Sequence, residues 1–374
     1  MTGGRAVGRS GGPAQPGDIE ESRSAEPTTR PPDRPTATLV IQTAFLGDVV
    51  LTTPLLTALA ERHGPVDVVT TPAAAPLLET HPAVRRVVPY DKRGRDRGWG
   101  GLRALGRRLR AEGYERAYLP HRSLRTAALA LLARIPERIG FHDAWPFFYT
   151  AVRPRPAEGH EVDRLLALAQ EAAAAYAPSL HPTPDDERAA GAVLRAAGIE
   201  DGAPFVAVAP GSIWGSKRWP YFGELASRLA AQVAVVAVGG PDDAGLGEEI
   251  VRAVTDGNGR QRAVNVCGKL TLRQSAALIA RARVLVTNDS APLHVATAMG
   301  TPIVALFGPT LPEFGFGPIR SGDVALGVAG LDCRPCSRHG PPRCPLGHHR
   351  CMRDLTPEVV AAAIEETGAL RRRD

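Results

Sequence analysis

The chain has 374 residues, enough for two domains of ordinary size. Hydrophobic residues make up 44% and charged residues 22%, which excludes wholesale disorder and collagen-like fibres. The net charge is +6, which suggests an anionic partner without separating nucleic acid, membrane or small phosphates.

Residues 1–37 are rich in Gly, Pro, Ser and Thr, carry equal numbers of arginines and acids, and read as a disordered tail. They hold no apolar segment with a cleavage site, and the longest apolar runs, 232–240 and 302–308, are too short to span a bilayer. The expected location is therefore cytoplasmic. A buried strand is predicted over 38–43, a helix over 49–61 and a strand over 66–70. A short helix at 73–80, a strand at 84–88, a basic amphipathic helix at 99–112 and a strand at 116–119 follow. The Ala-rich stretch 162–178 predicts a helix. Pro182 and Pro184 then mark a domain boundary, giving a first domain over 38–183 and a second over 184–355.

Beyond it the alternation restarts. Strands are predicted at 205–209, 233–238, 264–266, 284–287 and 303–307, with helices at 220–230, 243–254, 271–281 and 291–299. Each domain is thus α/β with a doubly wound parallel sheet, and sites on such sheets lie beyond the carboxyl ends of the strands. Between residues 85 and 138 stand fifteen basic residues against five acids, a window of +10. A solvated helix face is the competing reading of those arginines. The chain has only three lysines, Lys92, Lys217 and Lys269, and each points to a place suited to a compact ammonium.

Four strand ends carry chemistry. Gly47 and Asp48 follow the first strand; Gly47 permits a tight turn, and Asp48 reads either as a helix cap or as a general base at a cleft mouth. Pro210 to Pro220 contains Gly211, Ser212 and Lys217, which suit a diphosphate. Gly239 to Glu249 is not a dinucleotide fingerprint, though an acid within 242–249 could bond a ribose. Asp289, Ser290 and Ala291 open a helix with Pro292 in its first turn, forming an anion site that His294 could reach.

Taken together, Leu46 to Pro54, Ala209 to Ser212 with Lys217 to Pro220, and Thr287 to His294 through Gly308 and Thr310 resemble glycosyltransferase family 9, the ADP-heptose:lipopolysaccharide heptosyltransferases, and most nearly its heptosyltransferase II branch. The resemblance covers the chain from 38 to about 366. It implies a GT-B fold, two doubly wound domains facing across a cleft, and a carboxyl-terminal helix near 356–370 that crosses back to the first domain. It also implies an inverting transfer of heptose to the inner core of lipopolysaccharide. Asp48 takes the place of the catalytic base. Ser212, Lys217, Asp289, Ser290, Ala291 and His294 take the donor site. Arg122, Arg125 and Arg138 are the acceptor candidates in the basic window. The implied partners are a nucleotide sugar and an anionic glycolipid at the inner leaflet, to which the protein would be peripheral. No cofactor and no catalytic metal are implied, and nucleic acid is not, because the basic window lacks interleaved aromatics. A different nucleotide sugar or acceptor is the alternative. Cys333, Cys336, Cys344 and Cys351, with His348 and His349 between them, leave a structural metal, free thiols and disulfides open.

Overall fold

The computed structural model describes residues 38–172, 175–254 and 262–370; the tail expected over 1–37 lies outside the described residues. The first half runs β1 (Thr38–Ile41), α1 (Leu46–Leu51), α2 (Thr53–His63), β2 (Val66–Thr70), α3 (Ala75–Leu78), β3 (Val84–Pro89) and α4 (Gly98–Ala111). It continues through β4 (Arg116–Leu119), α5 (Leu124–Leu132), β5 (Glu137–Phe141), β6 (Ala151–Arg153) and α6 (Glu161–Leu166). The second half holds α7 (Pro184–Ala196), β7 (Phe205–Ala209), α8 (Phe222–Leu229), β8 (Ala234–Ala237), α9 (Ala244–Ala253) and β9 (Ala263–Asn265). After these come α10 (Leu272–Arg281), β10 (Val284–Asn288), α11 (Ala291–Met299), β11 (Ile303–Leu306), β12 (Val324–Leu326), α12 (Arg350–Arg353) and α13 (Pro357–Glu366).

Both sheets are parallel and six-stranded, in the orders β3-β2-β1-β4-β5-β6 and β12-β11-β10-β7-β8-β9. Counted from its own first strand, the second order is the first one reversed in listing, so the halves share one topology. In that topology the strand order switches between β1 and β4 and between β7 and β10, where ligands bind. Helices cover both faces, so the central strands are buried on both sides and read as continuous apolar runs. Along β7, for example, Val206 and Val208 join one core while Phe205, Ala207 and Ala209 join the other. The exception in β2 is Asp67, fully buried and satisfied by Arg85 at 2.6 Å, Arg86 at 3.1 Å and the Tyr114 hydroxyl at 2.5 Å.

Three local departures from the sequence expectation have physical causes. The helix expected over 49–61 is two helices broken at Thr52. Pro54 lacks the N–H that would continue the ladder, and Thr53 Oγ1 donates instead to Val50 O at 2.8 Å. The helix expected over 162–178 stops at Leu166. There Glu171 N returns to Leu166 O, Gln170 takes φ 60°, and Arg62 holds Ala169 O at 2.7 Å. Finally, α13 does not cross back to the first half. It packs on α8 and β11, with Val360, Ala363 and Ile364 in a second-half core. Full burial of Val360 and Ile364, at about 1.5–3 kcal/mol for each side chain, anchors it there.

Candidate active site

The chain leaves β1 and enters α1 within five residues, which brings Asp48 to the third helical position. The Phe45 N–H donates to Asp48 Oδ2 at 3.1 Å, so the carboxylate satisfies a free helix donor. It is nonetheless half-open to a cleft of about 1160 Å³ between the halves. Burial of the carboxyl pushes its pKa up to about 6, helped by the charge of Glu161 and opposed by the Phe45 N–H and Arg155. Cap and candidate base are thus the same residue.

A chain of alternating charges supports it. Arg122 pairs with Asp143 at 2.7 Å, and Arg155 stands 3.9 Å from Asp143 and 2.5 Å from Glu161. Arg164 closes the series 3.7 Å from Glu161. Burial raises the pKa of Glu161 despite its arginines. Asp143, Arg155 and Glu161 were not found from sequence, and no spacing or motif marks them. Glu161 is positioned because α6 is tied to the second half: Glu161 N bonds Gly315 O at 2.8 Å, and Arg164 bonds Phe314 O at 2.8 Å. Elsewhere on the first-half wall, Lys92 Nζ donates to Thr43 O at 2.6 Å. His121 approaches Thr43 Oγ1 at 3.4 Å, and burial, with Lys92 and Arg122 adding to it, lowers its pKa to about 4.

The donor-side residues gather at the second switch point. Asp289 Oδ2 accepts from Lys217 Nζ at 2.6 Å and from Thr310 Oγ1 at 2.7 Å, all three side chains buried. Asn288 fixes the surrounding loops. Its Oδ1 accepts from Trp219 N and its Nδ2 donates to Pro210 O, tying the end of β10 to the loop after β7. Ser212 is buried, and its hydroxyl accepts from Trp214 N at 3.3 Å. Ser290 caps α11 without a side-chain bond, and its buried hydroxyl has no protein partner. The N–H groups that follow it start the helix at Ala291. Asp243, within the stretch expected to hold a ribose acid, accepts from Gly240 N at 2.9 Å. It lies where a Cβ on Gly211 or Gly239 would stand.

Two expectations need correction here. Gly47 makes no turn; it lies inside α1, and a Cβ there would stand 2.5 Å from His294 Cδ2. The missing side chain lets α1 and α11 approach across the two halves. His294 is accordingly packed between Gly47 and Phe316, and burial takes its pKa down to about 4. Burial thus favours its neutral form. The basic window is also thinner than its count. Arg85, Arg86 and Arg116 are held in ion pairs, and Arg138 is turned inward onto Phe148 O at 2.7 Å and Ile135 O at 2.6 Å. Arg138 is therefore a structural brace. Arg125 bonds the hydroxyl of Tyr90, itself a cleft residue, at 3.1 Å, and Arg122 lines the cleft directly.

The family profile described as Glycosyltransferase family 9 (heptosyltransferase) matches residues 102–344, well over half of the chain. The chain belongs to glycosyltransferase family 9. This family 9 member is 29% identical to lipopolysaccharide heptosyltransferase 2 of Escherichia coli K12, over 89% of its own length and 97% of that protein. It is 28% identical to the Salmonella typhimurium enzyme of the same name, over 86% and 95%. Among solved structures, the E. coli ADP-heptose heptosyltransferase II superposes with a TM-score of 0.72 at 28% identity, over 89% of this chain and 98% of that one. A family 9 glycosyltransferase from Veillonella parvula superposes at 0.76, over 89% and 96%, and with 24% identity it speaks to the fold alone. The two sheets and these likenesses establish the GT-B architecture of a glycosyltransferase.

In this family 9 glycosyltransferase the cysteine-rich segment covers the Lys217 loop. Ser216 Oγ donates to Pro341 O, His349 Nε2 meets Ser216 O at 2.7 Å, and Gly340 abuts the Lys217 side chain. All four cysteines of the segment are free, and Cys333 Sγ is 3.9 Å from His348 Nε2. Burial pushes the Cys351 thiol up to about 11. Among the described residues no three His, Cys, Asp or Glu side chains converge as metal ligands.

Proposed function

We propose that this enzyme moves heptose from ADP-heptose to a hydroxyl of the lipopolysaccharide inner core, with inversion at the anomeric carbon. The observation that carries the reading is Asp48: a carboxylate on the cleft wall beyond the end of β1, with its pKa raised by burial to about 6. A base so placed is ionised at neutral pH yet basic enough to take the proton of an attacking hydroxyl. The relatives' names supply the sugar and the acceptor.

In this mechanism the acceptor lies along the first-half wall, with Arg122, Lys92 and Arg93 facing its phosphates. Its hydroxyl meets Asp48 and attacks the anomeric carbon from the face opposite the departing ADP. The leaving diphosphate gathers charge at the second switch point. Lys217 has three ammonium donors, of which one is bonded to Asp289, leaving others for phosphate. The unpaired Ser290 hydroxyl and the positive end of α11 complete the stabilisation. No step calls for a divalent metal. His294 contributes packing between the halves, which keeps the cleft short of water.

Turnover with ADP-heptose and a heptose-deficient lipopolysaccharide acceptor tests the reading. Product should form with ADP-heptose and fall to background with UDP- or GDP-sugars. Transfer from UDP- or GDP-sugars alone would overturn the donor assignment.

A further inference from the structure

Three large apolar side chains stand exposed on one rim of the first half. Trp99 is 68% exposed, Leu124 42% and Phe147 97%. Each opens the element that follows a strand: Trp99 begins α4 after β3, Leu124 begins α5 after β4, and Phe147 lies in the short 3-10 turn Pro146–Phe148 after β5. In a parallel sheet all carboxyl ends share one edge, so these three positions lie at that edge. They also lie in one layer, because α4 packs on α5 and α5 packs on Pro146–Phe148. The shared core beneath them holds Leu102, Leu105, Ala127 and Tyr149.

Single exposed apolar residues are ordinary; a cluster at the mouth of a cleft is not. Exposed Arg95, Arg97 and Arg103 flank Trp99 along the chain, and Arg122, two residues before Leu124, lines the cleft. An aromatic and aliphatic rim set among arginines matches the interface of an anionic bilayer, where rings enter the headgroup layer and guanidinium groups meet phosphate. The same charge opposes a second copy of this chain on the rim, since like would face like.

We propose that the rim formed by Trp99, Leu124 and Phe147 docks the enzyme on an anionic phospholipid surface, with the cleft opening toward that surface. This rests on the proposed function, because a lipid-anchored acceptor then reaches Asp48 without leaving the membrane. The rim lies outside the cleft lining, so binding and catalysis separate experimentally.

The test is co-sedimentation of the full chain with phosphatidylcholine vesicles made with and without phosphatidylglycerol, in the absence of acceptor. Native protein should pellet with the anionic vesicles alone and be released by high salt. The Trp99→Ser, Phe147→Ser double variant should lose at least about tenfold in partition. Turnover of that variant on a de-acylated, water-soluble acceptor should equal the native rate, which reports both its folding and the proposed function independently. Equal partition of native and variant protein, or no native binding to anionic vesicles, would overturn the docking rim. Self-association of the native chain that the variant abolishes would assign the rim to a second copy instead. Absence of turnover in both proteins, with partition as expected, would count against the function and leave the rim standing.

Discussion

The two switch points each place an aspartate at a strand-to-helix turn, and the two carboxylates have opposite surroundings. Among the described residues Asp48 makes no ion pair; it is bonded to one backbone N–H, faces the cleft and has Glu161 near enough to raise its pKa, against the weaker pull of Arg155. Asp289 is buried between an ammonium and a hydroxyl, at 2.6 and 2.7 Å. One topology thus presents the same residue type once as a carboxylate with its proton affinity raised and once as a counter-ion that holds a lysine. The neighbours decide the role, not the position in the fold.

The largest effect should come from the first of these. Asp48→Asn keeps the size and removes the base, so transfer should fall about a thousandfold. ADP affinity measured by calorimetry should stay near the native value, because the donor-side groups are untouched. Near-native turnover would mean that both aspartates are structural and that the contrast between them is empty.

For Asp289 the expected loss is of stability. Asp289→Ala strands the Lys217 ammonium, whose side chain is only 10% exposed, and an uncompensated buried charge costs about 3–5 kcal/mol. Denaturant midpoints report this, and adding Lys217→Met should recover part of it. An unchanged midpoint in the single variant would show the pair to be incidental. Lys217→Met alone should instead weaken ADP binding, which separates the ligand-facing member of the pair from the one that positions it.

Much of this contrast was legible before the structure. Val66–Thr70, Arg116–Leu119 and Phe205–Ala209 are strands at the expected residues, because β-branched and apolar runs of that length have few alternatives. The places of Asp48, Lys217 and Asp289 near strand ends were legible from the alternation of strands and helices, and strand ends in such sheets are where ligands bind. What surrounds them was not. Glu161 and Arg155 reach the cleft through contacts between α6 and Gly315, residues more than 150 apart in sequence, and no local pattern encodes such a contact. Arg138 turns inward for a different reason: its partners, the carbonyls of Ile135 and Phe148, lie close by in sequence, and a charge count does not see backbone acceptors. The Ala-rich stretch after Leu166 shows the converse, helix propensity overridden by tertiary bonds to Arg62.

The smallest predicted effect is also the sharpest on why the two aspartates differ. With the native enzyme, activity should rise with pH along a limb centred near 6, since under the proposed mechanism Asp48 must be ionised to accept a proton. Glu161→Gln removes the nearby negative charge that raises this value. It also removes the nearer of the two acidic partners of Arg155, whose positive charge then acts more fully on Asp48 while Asp143 stays beside it. Both changes favour the carboxylate, so the limb should move to lower pH, by less than about one unit because burial remains the larger cause. Neutral-pH turnover should change little, as Asp48 is already ionised there. A pH–rate series on the two proteins decides the matter. A limb that stays in place would mean that burial alone tunes Asp48, and that the alternating charges along the cleft serve only to hold α6 against the second half.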